Sequence, residues 1–171
     1  MNKLMAVAFT GLLLVGFQKK QMDWRAFVPF LTTRNEVEAD LGVPFSDKEY
    51  IWKYDTAKER ITVWYGGAKT AAIDDCRWNI PNDTIFNFLV APKKRVRLAD
   101  MNIDLSKFQK QKALEMVQDY YYYNEKEGIT ITSRVTDGEE ILLNIERGPS
   151  AVQKKTHCSK KGKIADSNYL E

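Results

Sequence analysis

The sequence predicts an α+β fold, an antiparallel sheet built from hairpins with short helices packed on one face. Three observations predict it. Leu31 to Pro44 carries a helix marked at both ends. Runs rich in aromatic and β-branched residues alternate with short polar turns, first over Tyr50 to Tyr65 and again over Asp119 to Glu146. The connections are short and Asp137-Gly138 is a strong hairpin turn, so sequential antiparallel pairing is the simplest topology.

The elements follow in chain order. Thr33 and Glu36 form a Thr-x-x-Glu capping box, Val37 and Leu41 sit four apart behind it, and Gly42 and Pro44 supply the stop. This predicts a helix over Arg34–Leu41. A helix of two turns is unstable alone, so Val37 and Leu41 should be buried against the sheet. Tyr50 to Tyr54 reads as a strand, Asp55 to Glu59 as a turn, and Arg60 to Tyr65 as the return strand, closed by Gly66-Gly67. Lys69 to Pro81 reads as irregular. Ile85 to Val90 reads as a strand broken by Ala91 to Arg95, and Asp104 to Phe108 with its polar sequel as a loop or short helix. Three more strands follow at Asp119–Tyr123, Ile129–Arg134 and Ile141–Glu146. The expected sheet contains the strands around Trp52, Val63, Phe88, Tyr122, Ile131 and Leu143. The alternation of Ile61 with Val63 and of Ile129 with Ile131 marks its covered face. The two halves echo each other at Tyr54-Asp55 and Tyr123-Asn124. They read either as a duplicated helix–hairpin unit or as two hairpins of common turn composition.

The first residues set the expected compartment. Met1-Asn2-Lys3 precedes fourteen uncharged residues, Leu4 to Phe17, and Gln18-Lys19-Lys20 ends the run. This is the pattern of a secretory signal peptide over 1–17, expected to be removed near residues 16–23. A bilayer-spanning helix needs about 20 apolar residues, so no integral span is expected after processing. The competing readings are an uncleaved signal anchor and an N-terminal core helix. A single domain over 24–152 and a Lys-rich mobile tail over 153–171, tethered at Cys158, complete the expected organisation. The exported reading places the protein in a bacterial periplasm or outside the cell.

Composition narrows the function. The chain has 171 residues, 44% apolar and 12% aromatic, with a net charge of +3 and both signs interspersed. That balance supports a sizeable core and does not indicate a nucleic-acid partner. Cys76 and Cys158 are the two cysteines. In an oxidising compartment they read as one disulfide; in a reducing one they would be free thiols. Zinc is the third reading, but His157 is the sole histidine and lies next to Cys158, so a fourth soft ligand is missing.

Leu31-Thr32-Thr33-Arg34-Asn35-Glu36-Val37-Glu38-Ala39-Asp40-Leu41-Gly42-Val43-Pro44 resembles the Thr/Ser-x-x-Glu/Asp-Val-x-x-x-Leu-Gly-x-Pro signature of SmpA/OmlA-type (BamE-like) envelope proteins. The resemblance implies a small exported α+β module in which helices pack on an antiparallel sheet. β-lactamase-inhibitor-like proteins share that architecture as tandem repeats. The outer-membrane assembly members are lipoproteins, and this chain has no lipid-acceptor cysteine after its apolar run. The resemblance therefore implies fold and compartment and not a role in outer-membrane assembly. The Cys pair and Trp78-Asn79-Ile80-Pro81 are similar to features of uncharacterised exported bacterial proteins, which bring no activity with them.

Several constellations bear on function. Trp52, Tyr54, Trp64, Tyr121 and Tyr123 form the candidate binding surface, an aromatic platform on an open sheet face. The same residues also suit ordinary core and cross-strand packing. Asp74, Asp75 and Asp83 lack the spacing of a calcium loop and read as a solvated loop. Lys93, Lys94, Arg95 and Arg97 form a basic cluster that reads as edge-strand protection rather than a lipid site. No Gly-x-Ser-x-Gly elbow, phosphate loop or His-Glu-x-x-His occurs. No catalytic residue, metal ligand or cofactor is therefore indicated. The expected function is exported, non-catalytic binding of a protein or cell-envelope component through the sheet face. The alternative is a small secreted hydrolase using paired carboxylates.

Overall fold

The computed structural model describes residues 26–66, 76–114 and 117–160. The expected signal segment, Asp74 and Asp75, and the tail beyond Lys160 lie outside the described residues. The helices are α1 (Arg34–Leu41) and α2 (Ala151–His157). The strands are β1 (Ser46–Lys48), β2 (Ile51–Asp55), β3 (Glu59–Tyr65), β4 (Cys76–Trp78) and β5 (Ile85–Pro92). They continue with β6 (Gln109–Lys112), β7 (Asp119–Asn124), β8 (Ile129–Thr136), β9 (Glu139–Arg147) and β10 (Cys158–Lys160). Short 3-10 turns occupy Leu98–Met101 and Leu105–Lys107.

Eight strands form one antiparallel sheet in the order β1-β2-β3-β5-β9-β8-β7-β6, and β4 pairs with β10 in a separate two-stranded ribbon. This corrects the expected α+β class. The fold is dominated by its sheet, and the helices have only eight and seven residues. The covered face is sealed mainly by non-helical chain. Phe27 and Leu98 are buried there, with Val96, Met101, Ile103, Leu105 and Phe108 packed beside them. Of the two helices, α1 buries Val37 and α2 buries no residue. The duplicated helix–hairpin unit is corrected with it. Each half supplies a four-stranded run, and the two runs meet at their last strands, β5 and β9. A helix precedes only the first run; 3-10 turns precede the second.

Local sequence explains the elements that surround the site. In α1 the Glu36 amide donates to Thr33 Oγ1 at 3.4 Å and the Thr33 amide donates to Glu36 Oε2 at 2.7 Å. The two bonds satisfy amides that a helix start leaves without intrahelical partners. Gly42 closes the helix at φ 84°, a conformation that suits glycine. Along the sheet, Tyr54, Ile61, Val63, Phe88, Ile131 and Ile145 occupy the covered face, and Ile129 packs against them. Register shifts between Trp64 and Tyr65, so Tyr65 faces Ile85 and Trp64 faces Asn87. The extra residue is Phe86, which a bulge turns to the opposite face. There it packs with Phe30, Cys76 and Trp78 in a second cluster, joined by Ile80 and Cys158.

This second cluster organises the chain expected to be a mobile tail. Residues up to Lys160 form α2 and β10 instead. A disulfide joins Cys76 to Cys158, with their Cα atoms 5.3 Å apart. The His157 ring lies 5.1 Å from the Phe30 ring, and its Nδ1 is 2.9 Å from the Asn79 carbonyl oxygen. The Gln153 side-chain amide donates to the Pro29 carbonyl. Among the described residues, no helix is long and apolar enough to cross a membrane.

Candidate functional site

Alternation sends every second residue of the strands away from the main core to the open face of the sheet, where polar and aromatic side chains are mixed. One register row crosses five strands as Leu89, Glu146, Thr130, Tyr123 and Gln109. With strands about 4.8 Å apart, Glu146 and Gln109 lie about 14 Å from each other along this row. The lobe of α2, β4 and β10 stands beside the row and turns it into a cleft of about 830 Å³. Trp78 and Lys154 line the lobe side, Gln109, Gln111 and Tyr123 the sheet side, and Gly128, Gly148 and Pro149 the end near the β7–β8 turn.

The walls are held by specific contacts. Ser150 caps α2: the Gln153 amide donates to Ser150 Oγ at 3.3 Å, and the Ser150 amide donates to Gln153 Oε1 at 2.9 Å. The disulfide fixes β10 to β4. Inside the cleft, Asn87 Nδ2 donates to Glu146 Oε1, while Asn87 Oδ1 is buried without a hydrogen-bond partner among the described residues. Lys107, Lys126, Lys154 and the carboxylate Glu125 are exposed around the cleft, and Glu146 is half-buried in it.

The five aromatic residues expected to form one platform are divided between the two faces. Tyr54 is 1% exposed, and its hydroxyl lies 3.2 Å from that of Tyr65. Trp52 shares that covered face, its ring 5.6 Å from Tyr65 and beneath the Arg34 guanidinium at 4.4 Å. Trp64, Tyr121 and Tyr123 face the open side, with the two tyrosine rings 5.8 Å apart. Trp64 on β3 is four strands from β7, about 19 Å away. Tyr121 and Tyr123 are therefore the pair that the fold brings together, and Tyr123 lines the cleft.

Asp83 and three of the four residues of the basic cluster, Lys93, Arg95 and Arg97, have local partners. Asp83 pairs with Arg34 at 2.7 Å, and Lys93 with Asp55 at 2.8 Å. Arg95 pairs with Asp137 and Glu139, and Arg97 with Asp100 at 2.8 Å. Among the described residues, no group of three His, Cys, Asp or Glu is placed to hold a metal ion.

A second polar cluster sits on the covered face at the far end of β7 to β9. Glu140 accepts from Tyr122 Oη at 2.7 Å and Ser133 Oγ at 2.7 Å, and Lys110 Nζ lies 3.2 Å away. Burial pushes the Glu140 carboxyl up, but the bonds from Ser133, Tyr122 and Lys110 outweigh it and hold the group below the usual glutamate range. Among the described carboxylates, Glu36, Asp100, Asp104, Asp119 and Glu140 are all moved downward.

Sequence reasoning missed Trp78, Asn87, Gln109, Gln111, Glu146 and Lys154 as residues of one site. One local signal was present: Ser150-Ala151-Val152-Gln153 is a Ser-x-x-Gln capping box that marks the start of α2. No protein-family model, curated protein or solved structure matches the chain.

Proposed function

We propose that the protein is an exported, non-catalytic binding protein that holds a partner molecule in the cleft on the open face of its sheet. The cleft itself carries this reading. It places an exposed tyrosine ring above a row of hydrogen-bonding side chains, within a volume typical of ligand sites. The Cys76–Cys158 disulfide favours an oxidising compartment, in keeping with export.

The test is photocrosslinking in intact cells. A photoreactive residue in place of Thr130, inside the cleft, should give a discrete adduct that disappears when Tyr123 is replaced by Ala. The same residue in place of Asp137, at the distant turn, should give none. Equal labelling from both positions would remove the cleft from consideration. Export is checked separately: the protein recovered from its host should begin between residues 16 and 23, and intact Met1 in a cytosolic fraction would end that part of the proposal.

A further inference from the structure

We infer that the cleft ligand is an anionic oligosaccharide, a chain of sugar rings carrying carboxylate or sulfate groups. The inference rests on the cleft being the ligand site and goes on to name its ligand's chemistry. Gln109, Gln111 and Thr130 offer neutral side chains that both donate and accept, and Glu146 adds an acceptor. Hydroxyl groups also donate and accept, so a sugar matches such a lining group for group. The cores of protein–protein interfaces are apolar and poor in charged residues; this lining carries three lysines and two glutamates.

The aromatic residues supply the second requirement. Tyr123 is 36% exposed, with the Tyr121 ring 5.8 Å away, and Trp78 contributes to the opposite wall. A sugar ring has a flat C–H face, and an exposed aromatic ring with a polar tip buries such a face while its rim stays wet. Charge sets the sign of the ligand. Lys107 pairs with Asp104 at 3.7 Å, so Lys126 and Lys154 are the cationic groups the cleft offers, beside Glu125 and a Glu146 that already accepts from Asn87. Among the described residues, neither Lys126 nor Lys154 is held in an ion pair, which leaves both ammonium groups for an anion. An acidic peptide would satisfy the lysines but has no use for a hydroxyl-matching row. A single-stranded nucleic acid would stack on tyrosine but calls for a more strongly basic surface than a net charge of +3 provides.

Calorimetry with the purified chain tests the inference. The probes are hexamers of galacturonate, of hyaluronan and of a sulfated galactan, with maltohexaose, hexaglutamate and hexathymidylate as comparisons. At least one acidic glycan should bind about tenfold more tightly than maltohexaose at low salt. Tyr123→Ala should weaken that binding about fivefold, while Tyr123→Phe, which keeps the ring, retains it. Lys126→Gln with Lys154→Gln should weaken it about fivefold and flatten its salt dependence. All of these positions are exposed, and unchanged melting of the variants verifies their folding. The inference is overturned if none of the three acidic glycans binds at millimolar concentration. It is also overturned if hexaglutamate or hexathymidylate binds as tightly, or if the Tyr123 and lysine variants bind like the parent. A protein adduct from the Thr130 crosslinker in those cases would leave the cleft a binding site and remove only the glycan.

Discussion

Gly128 and Gly148 are pressed together at the end of the cleft. The Gly148 amide donates to the Gly128 carbonyl at 2.8 Å, and Gly128 holds φ at 69°. A Cβ on Gly128 would lie 2.5 Å from the Gly148 oxygen and 2.6 Å from that of Pro149. The contact joins the start of β8 to the end of β9 and leads the chain into α2, so it sets where the lobe wall begins. Gly138 provides the comparison, with φ at 77° and open space around it. Gly138→Ala should cost about 1 kcal/mol from the left-handed backbone alone. Gly128→Ala should cost about 3 kcal/mol, because backbone oxygens must also move. Urea unfolding midpoints measure both, and equal losses would show that the close approach is unimportant.

The disulfide closes a sequence separation of 82 residues. In the chain-entropy model, removing a crosslink of that span costs about 4.5 kcal/mol. A Cys76→Ala, Cys158→Ala double variant should lose stability on that scale. The lobe wall of β4, β10 and α2 should loosen first, because α2 buries no residue of its own. Hydrogen exchange should show amides of β4 and β10 exchanging faster while β3 and β5 stay protected. Alkylation of the denatured, unreduced parent should label neither cysteine.

What could be read from the sequence was whatever neighbouring residues encode. The start and stop of α1 are both local signals, and they fall where the structure places them. Strands β2, β3, β5, β7, β8 and β9 show themselves through apolar content and alternation. Strand β6 does not: Gln109-Lys110-Gln111-Lys112 is polar throughout, exposed throughout, and a strand only because β7 offers it a backbone edge. Strands β4 and β10 owe their pairing to a crosslink across 82 residues. The aromatic platform divided for a related reason. Period-two alternation put Trp52 and Tyr54 on one face but carried no information about which face the Val96–Phe108 segment would cover. The cleft joins Lys154 to Gln109 across the chain, and no local pattern reports such a juxtaposition.

The Glu140 cluster predicts an acid-sensitive term in stability. Its carboxyl is held below its unfolded value by Ser133, Tyr122 and Lys110. A lowered folded pKa means the stabilisation is present above the unfolded value, about pH 4.3 for glutamate, and is lost as pH falls through the lower folded one. Glu140→Gln should therefore reduce stability at pH 7 and flatten the decline between about pH 5 and pH 3. Urea unfolding across that range measures it. A variant whose stability falls with acid as steeply as the parent's would assign the acid sensitivity to other carboxylates.

The final prediction concerns how α1 is held on the sheet. Val37 is fully buried in the main core and Leu41, one turn later, is half-buried beside it. Arg34, one turn earlier, lies 4.4 Å from the Trp52 ring and 4.8 Å from the Tyr65 ring, and its guanidinium reaches Asp83 at 2.7 Å. An eight-residue helix has little stability of its own, so these contacts and its capping box keep it formed. Val37→Ala should cost about 2 kcal/mol, a cavity without a new charge. Val37→Asp should cost more than about 4 kcal/mol, because the carboxylate would be buried among the apolar side chains of the main core. Leu41→Asp should fall between them, since its side chain can turn outward at the helix end. Thermal melting followed by tryptophan fluorescence orders the three. The order Val37→Asp, Leu41→Asp, Val37→Ala, from most to least damaging, is what a helix anchored through Val37 requires; a Val37→Asp variant that melts like the parent would show that the sheet is closed without α1.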